Sequence, residues 1–104
     1  MKTILFYSFL FLVSAHLSGQ DITLTTQTEV DAFDFSTRYI DGDLLITEDD
    51  QANDPIIDLS RLSSIDSING DLVISGCSSL KDVHGFTNLK KVQFSVVIAS
   101  NSNL

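Results

Sequence analysis

Apolar residues from position 40 onward follow two rhythms that alternate along the chain. Stretches of the form Leu-x-Ile, such as Leu72-x-Ile74, place two apolar side chains on one face of a short strand. Between such stretches, apolar residues recur at every third position, beginning with Ile56, Leu59 and Leu62. A period of three fits neither an α-helix nor a strand. It predicts 3₁₀-like turns joined by short extended pieces.

Both rhythms return together at a fixed interval. The stretch 56–68 matches the stretch 80–92 at a spacing of 24 residues, and the same spacing carries 72–74 onto 96–98. Repetition of this kind predicts stacked coils in which equivalent strands pair side by side in a parallel sheet. Leu72 and Val96 should therefore be neighbours.

An earlier copy of the repeat has a longer loop. The stretch 40–46 precedes its match, 68–74, by 28 residues, and the four extra residues fall within the polar segment 47–55. Gly42 and Gly70 precede the strands of these two copies, where the absence of a Cβ permits a tight backbone. The third copy has Phe94 at this position, so its corner is expected to differ.

The single cysteine, Cys77, lies at a corner that follows the second strand. Asn101 lies 24 residues later at the equivalent position, and Asn53 is the candidate for this position in the first copy. Asparagine can bond to backbone groups in a sharp turn, and a thiol is small and tolerates burial. Because a reactive thiol needs a neighbouring base or cation, we interpret all three residues as structural turn residues.

The N-terminal residues differ from the repeats. Residues 1–19 have a lysine, a short apolar run and then small residues, which is the order of a secretory signal peptide. The apolar run is too short to span a bilayer. In residues 20–36, an alternating stretch precedes the capping-box pattern Thr26-x-x-Glu29, which predicts a segment that caps the coils. The repeats then occupy residues 37–104 and are expected to be incomplete.

The net negative charge of the chain limits the classes of molecule that it can bind. Removal of residues 1–19 takes away one lysine, so the net charge of −8 becomes −9, with fourteen acids against five bases. Such a surface repels nucleic acid and anionic membranes. The sequence therefore predicts a secreted or cell-surface protein that neither binds nucleic acid nor inserts into a membrane after signal cleavage. Nothing in the pattern calls for a cofactor.

The repeats resemble the receptor L domain, a leucine-rich repeat family found in growth-factor receptor ectodomains and in exported bacterial surface proteins. The resemblance lies in the stretches IDGDLLI, INGDLVISGCSSL, LSRLSSIDSI, VHGFTNLKKV and VVIASNSNL. It implies a mainly β, right-handed solenoid of about three coils, with a short parallel sheet and an N-terminal cap. It also implies a binding function for protein or glycan ligands and no family-wide catalytic residues.

The outward positions of the strands are the candidate binding residues. Leu45, Val73 and Val97 would form an apolar column on the exposed face of the sheet, although branched residues also favour strands wherever they point. Asp43 and Asp71 would stack beside them. The acidic loop 47–55 could attract a hard cation, but its spacing does not match a calcium loop, and we expect no metal site.

Two other functions remain open at this point. A polysaccharide-acting enzyme could use Asp43 and Asp71 as paired carboxylates, although they look like copies generated by the repeat. A purely structural spacer is the second alternative. The last strand, 96–98, would have an open edge, which predicts either a longer natural protein or self-association.

Overall fold

The computed structural model describes residues 20–104, so the predicted signal peptide lies outside the described residues. The described chain is mainly β, with one short α-helix and one 3₁₀ turn. In chain order the elements are β1 (Ile22–Leu24), α1 (Gln27–Asp31), β2 (Tyr39–Ile40), β3 (Leu44–Thr47), the 3₁₀ turn (Ser60–Leu62), β4 (Ser67–Ile68), β5 (Leu72–Ser75), β6 (Lys91–Val92) and β7 (Val96–Ala99). No helix in this part of the chain is both long and apolar enough to span a bilayer.

The strands form two sheets in which all pairs are parallel. One sheet has four strands in the order β1-β3-β5-β7, and the other has three in the order β2-β4-β6. Leu44 pairs with Leu72, and Leu72 pairs with Val96. The register predicted from the repeat intervals is therefore confirmed.

The core lies between the two sheets and the turns that join them. Ile46 and Ile74 from the four-stranded sheet are fully buried, as is Ile68 from the other sheet. The residues that recur at every third position complete it, since Ile56, Leu62 and Ile65 are each 0% exposed. The two sequence rhythms thus converge on one apolar interior, where burial is worth about 1.5–3 kcal/mol for each large side chain.

Residues 20–36 add a strand to the four-stranded sheet and a short helix beside it. Ile22 of β1 pairs with Leu44 of β3, and Val30 of α1 is fully buried. The predicted capping box forms in part, because the Thr26 hydroxyl accepts a hydrogen bond from the Glu29 N–H at 3.1 Å. The Glu29 carboxylate accepts from the Thr25 N–H instead of the Thr26 N–H. The boundaries of the cap and of the repeats remain predictions.

Strand β7 departs from the expected burial. Val96 and Ile98, which were predicted to point inward, are 54% and 45% exposed, whereas their counterparts Leu72 and Ile74 are 4% and 0% exposed. β7 is an edge strand with a neighbour on one side only, whereas β1, the other edge strand, is packed against α1. The sequence pattern predicts the direction of these side chains, but burial also requires a neighbouring strand or loop that covers them.

Candidate binding surface

The outward face of the four-stranded sheet carries the predicted apolar column. Pairing places Thr23 beside Leu45, Leu45 beside Val73, and Val73 beside Val97. Leu45 and Val73 are half-buried, and Val97 is 43% exposed. Thr47 and Ser75 pair in the next outward row, so small hydroxyl side chains flank the column on one side. The face is therefore apolar along its middle and polar at this margin.

The aspartates at the start of the strands form a hydrogen-bonded ladder. The Asp21 carboxylate accepts from the Asp43 N–H at 2.8 Å, Asp43 from the Asp71 N–H at 2.7 Å, and Asp71 from the Ser95 N–H at 2.9 Å. Each carboxylate thus accepts a hydrogen bond from a backbone N–H at the start of the next strand in the sheet. Each strand of this sheet, together with the loop that follows it, is called a layer below. Charge-assisted bonds of this kind are about twice as strong as neutral ones. Asp43 and Asp71 therefore connect layers of the fold.

Glycines make room for this ladder. A Cβ on Gly70 would lie 2.6 Å from the carbonyl carbon of Gly42 and would overlap the Asp43 carboxylate. A Cβ on Gly42 would lie 2.7 Å from the Asp21 carboxylate. Both residues are therefore required for close approach of the backbones. Phe94, at the equivalent position of the last layer, is 72% exposed.

The corner residues Cys77 and Asn101 are both buried and lie in adjacent layers. The Asn101 side chain accepts from the Cys77 N–H at 2.9 Å and donates to the Ile74 carbonyl at 2.9 Å. The Cys77 thiol faces the carbonyls of Ile46 and Ser75 at 3.8 and 3.5 Å. Burial raises the pKa of the Cys77 thiol, which keeps it protonated. These contacts are those of a structural thiol.

Asn53 does not occupy the equivalent buried corner. Its side chain is exposed, and its backbone has a φ of 51°, the left-handed region that asparagine tolerates in turns. In this layer the Glu48 carboxylate accepts from the Ile56 N–H at 3.0 Å. The longer loop therefore moves Asn53 to the surface, where it remains a turn residue.

Comparison with known proteins decides the family. The family model described as "Receptor L domain" matches residues 38–104. This chain belongs to the receptor L domain family. No curated protein and no solved structure gives a significant match to this L domain. The family is one of binding domains, typically extracellular, and is not a family of enzymes.

The acidic loop of this L domain uses its carboxylates to order its own backbone. Asp49 accepts from the Gln51 N–H, and Asp54 accepts from the Thr28 N–H at 3.0 Å. Within residues 20–104 no group of three or more histidine, cysteine or acidic side chains is arranged to hold a metal ion. The loop is therefore a set of carboxylate-capped turns that ties α1 to the repeats.

Acid is expected to weaken this L domain through three aspartates. Hydrogen bonds from Thr28, Ser36 and His84 lower the pKa values of Asp54, Asp34 and Asp82, respectively. A lowered folded-state pKa gives stability above the unfolded value of about 3.9, and that stability is lost as the pH falls through the folded value. Chemical denaturation at neutral pH and at a series of pH values below about 3.9 should show the loss. The Asp54→Asn variant should show a shallower dependence, and an unchanged dependence would contradict this role of Asp54.

The three-stranded sheet forms a second surface that the apolar pattern of the sequence does not indicate. Its outward residues Tyr39, Ser67 and Lys91 pair in one row and line an open groove with a volume of ≈ 280 Å³. The Asn69 side chain donates to the Asp41 carboxylate at 3.1 Å at the same groove. The signal was present in the sequence, because these residues also recur at the repeat intervals. Each of these strands has only two residues, which is too short for an alternating pattern to show.

Proposed function

We propose that this L domain is an extracellular ligand-binding module, secreted or held at the cell surface, that binds a partner on the outward face of its four-stranded sheet. The chain winds as a right-handed solenoid of about three coils, and equivalent outward residues of successive coils form the binding face. Leu45, Val73 and Val97 form the centre of that face.

The observation that carries the proposal is the combination of a binding-domain family with an apolar column in register across the sheet. Apolar residues that are aligned on an open surface and bordered by polar groups are typical of protein interaction sites. The role of Asp43 and Asp71 in this proposal is twofold. One oxygen of each carboxylate bonds to a backbone N–H of the next strand, which holds the strands in register and leaves the other oxygen for a ligand.

The same bonds weigh against the enzyme alternative. Paired catalytic carboxylates must face substrate and water. One oxygen of Asp43 and one of Asp71 are instead occupied by backbone N–H groups, and the same arrangement recurs at Asp21. A feature that recurs before three successive strands of the sheet serves the fold, which favours the binding module.

Partner capture tests the proposal. The immobilised protein is exposed to the proteins and glycans of its native cell exterior, and the variant in which Leu45, Val73 and Val97 are all changed to serine should lose most of the captured material. Ile57→Ser is the matched control, since Ile57 is 59% exposed and lies outside the sheets. Equal capture by the triple variant and the wild type would refute the binding face.

A second variant keeps the test valid if the triple variant unfolds. Thr23 and Val97 are both exposed and lie in the same outward row. Replacing both with arginine adds bulk and charge to the surface and leaves the core unchanged. The folded double variant should fail to capture the partner, and full capture would also refute the proposal.

A further inference from the structure

We propose that the partner of the four-stranded face is a basic amphipathic helix that lies across the strands. This inference rests on the proposed function and adds to it the chemistry of the partner. The aspartate ladder, formed by Asp21, Asp43 and Asp71, runs beside the apolar column and carries the inference. A partner that covers both must present apolar and basic side chains along one segment.

The aspartate ladder and the apolar column are parallel rows on the same face. Asp43 lies two residues before Leu45, and Asp71 lies two residues before Val73. Side chains two residues apart on a strand point to the same side of the sheet and are about 7 Å apart. Neighbouring side chains of one helix can therefore contact both rows at once.

No base of the described chain neutralises the ladder. Within residues 20–104 the ion pairs are made by Asp66 and Asp82, and none of the five bases there lies in a strand of this sheet or directly before one. One oxygen of each ladder carboxylate bonds to a backbone N–H, which leaves the second oxygen for a cation. Like charges that are about 4.8 Å apart repel one another, and a basic partner relieves that repulsion.

The arrangement fits an elongated partner instead of a single metal ion. Within the described residues no group of three or more acidic, histidine or cysteine side chains is placed to hold a metal ion. The three carboxylates lie along a line of about 10 Å, since they precede three adjacent strands. A line of negative charges beside a line of apolar residues is complementary to a segment that carries basic and apolar side chains in two parallel lines.

The length of the ladder matches the repeat of a helix. Seven residues of α-helix rise about 10.5 Å, so basic residues at positions i, i+3 or i+4, and i+7 can meet three carboxylates that span about 10 Å. Alternate residues of an extended strand are about 7 Å apart and would fall out of step with the carboxylates. Apolar residues on the adjoining edge of the same helix would then lie over Leu45, Val73 and Val97.

Two matched helical peptides of about 14 residues, or four turns, test the charge of the partner against the full chain. One peptide has leucines along one edge and lysines along the next, and the other has glutamate in place of every lysine. Fluorescence anisotropy of the labelled peptides should show at least about tenfold tighter binding of the lysine peptide, with an affinity that falls as salt is raised. Equal affinities, or no saturable binding of the lysine peptide, would overturn the proposal.

Asparagine variants separate the ladder from the net charge of the domain. Asparagine keeps an oxygen that can accept from the backbone N–H, so the pair Asp43→Asn and Asp71→Asn removes two charges and retains the links between strands. The matched control is the pair Asp31→Asn and Asp58→Asn, which removes two charges outside the sheets, where each carboxylate also accepts a hydrogen bond. The ladder pair should weaken binding of the lysine peptide about three- to tenfold, and the control pair less than about twofold. Equal losses would show attraction by net charge alone and would overturn the proposal.

Partner capture distinguishes failure of this proposal from failure of the binding face. In capture from the native cell exterior, the Asp43→Asn and Asp71→Asn pair should lose material as the serine triple variant does. Capture that the triple variant loses but the asparagine pair keeps in full would leave the binding face standing and refute a basic partner. If the pair does not fold, Asp21→Asn replaces it and should weaken binding of the lysine peptide about two- to threefold. Unchanged binding by that variant would count against the ladder.

Discussion

Replacing Gly70 with alanine is expected to destabilise the protein by about 3 kcal/mol or more. The added methyl group would lie 2.6 Å from the Gly42 carbonyl carbon and would overlap the Asp43 carboxylate. Backbone cannot move aside as a flexible side chain can, so two layers must separate. The separation would also strain the bond between the Asp43 carboxylate and the Asp71 N–H. Urea denaturation followed by circular dichroism measures the loss.

Gly76→Ala is the matched control for that substitution. Gly76 has a φ of +70°, but an added Cβ would meet no atom closer than the Thr47 hydroxyl oxygen at 4.0 Å. The cost is then the left-handed conformation alone, about 1–2 kcal/mol. If Gly76→Ala were as damaging as Gly70→Ala, close contact between the layers would not be the reason for glycine at position 70.

Replacing Asn101 with alanine is expected to destabilise the protein by about 2–3 kcal/mol. The substitution removes the acceptor for the Cys77 N–H and the donor to the Ile74 carbonyl, both of which are buried bonds. Water cannot readily replace a partner at this corner, because Asn101 itself is 9% exposed. Thermal and urea unfolding of the purified variant would measure the effect.

Asn103→Ala tests the same chemistry at the surface. Its side chain donates to the Ser78 carbonyl at 2.6 Å, but both residues are exposed, so water can take over the lost bond. We expect a loss of less than about 0.5 kcal/mol. Similar losses at positions 101 and 103 would contradict the view that the Asn101 corner is a buried link between layers.

Much of the four-stranded sheet could be predicted from sequence, because the spacing of the repeat is visible in the apolar residues. Matching Leu72-x-Ile74 to Val96-x-Ile98 fixes which residues pair, and the pairs observed are the predicted ones. The Cys77 corner was also predictable, since Asn101 occurs one interval later and asparagine can bond to the turn. Both inferences depend on local residue types that repeat.

Features that depend on neighbours in space were harder to predict. The insertion in residues 47–55 breaks the alignment of the first layer, so the sequence does not show that Asn53 is exposed. The aspartate ladder could not be predicted, because a carboxylate at the start of a strand is usually solvated. Its bonds reach backbone N–H groups 22, 28 and 24 residues away, and side-chain chemistry alone does not reveal them.

The register of the parallel strands is the claim on which the binding face and the groove both depend. Nuclear Overhauser effects between backbone protons of adjacent strands test it most directly in solution. We predict backbone contacts between Leu44 and Leu72 and between Leu72 and Val96, with parallel-strand patterns throughout. Antiparallel patterns, or parallel contacts displaced from these pairs by even one residue, would contradict the account.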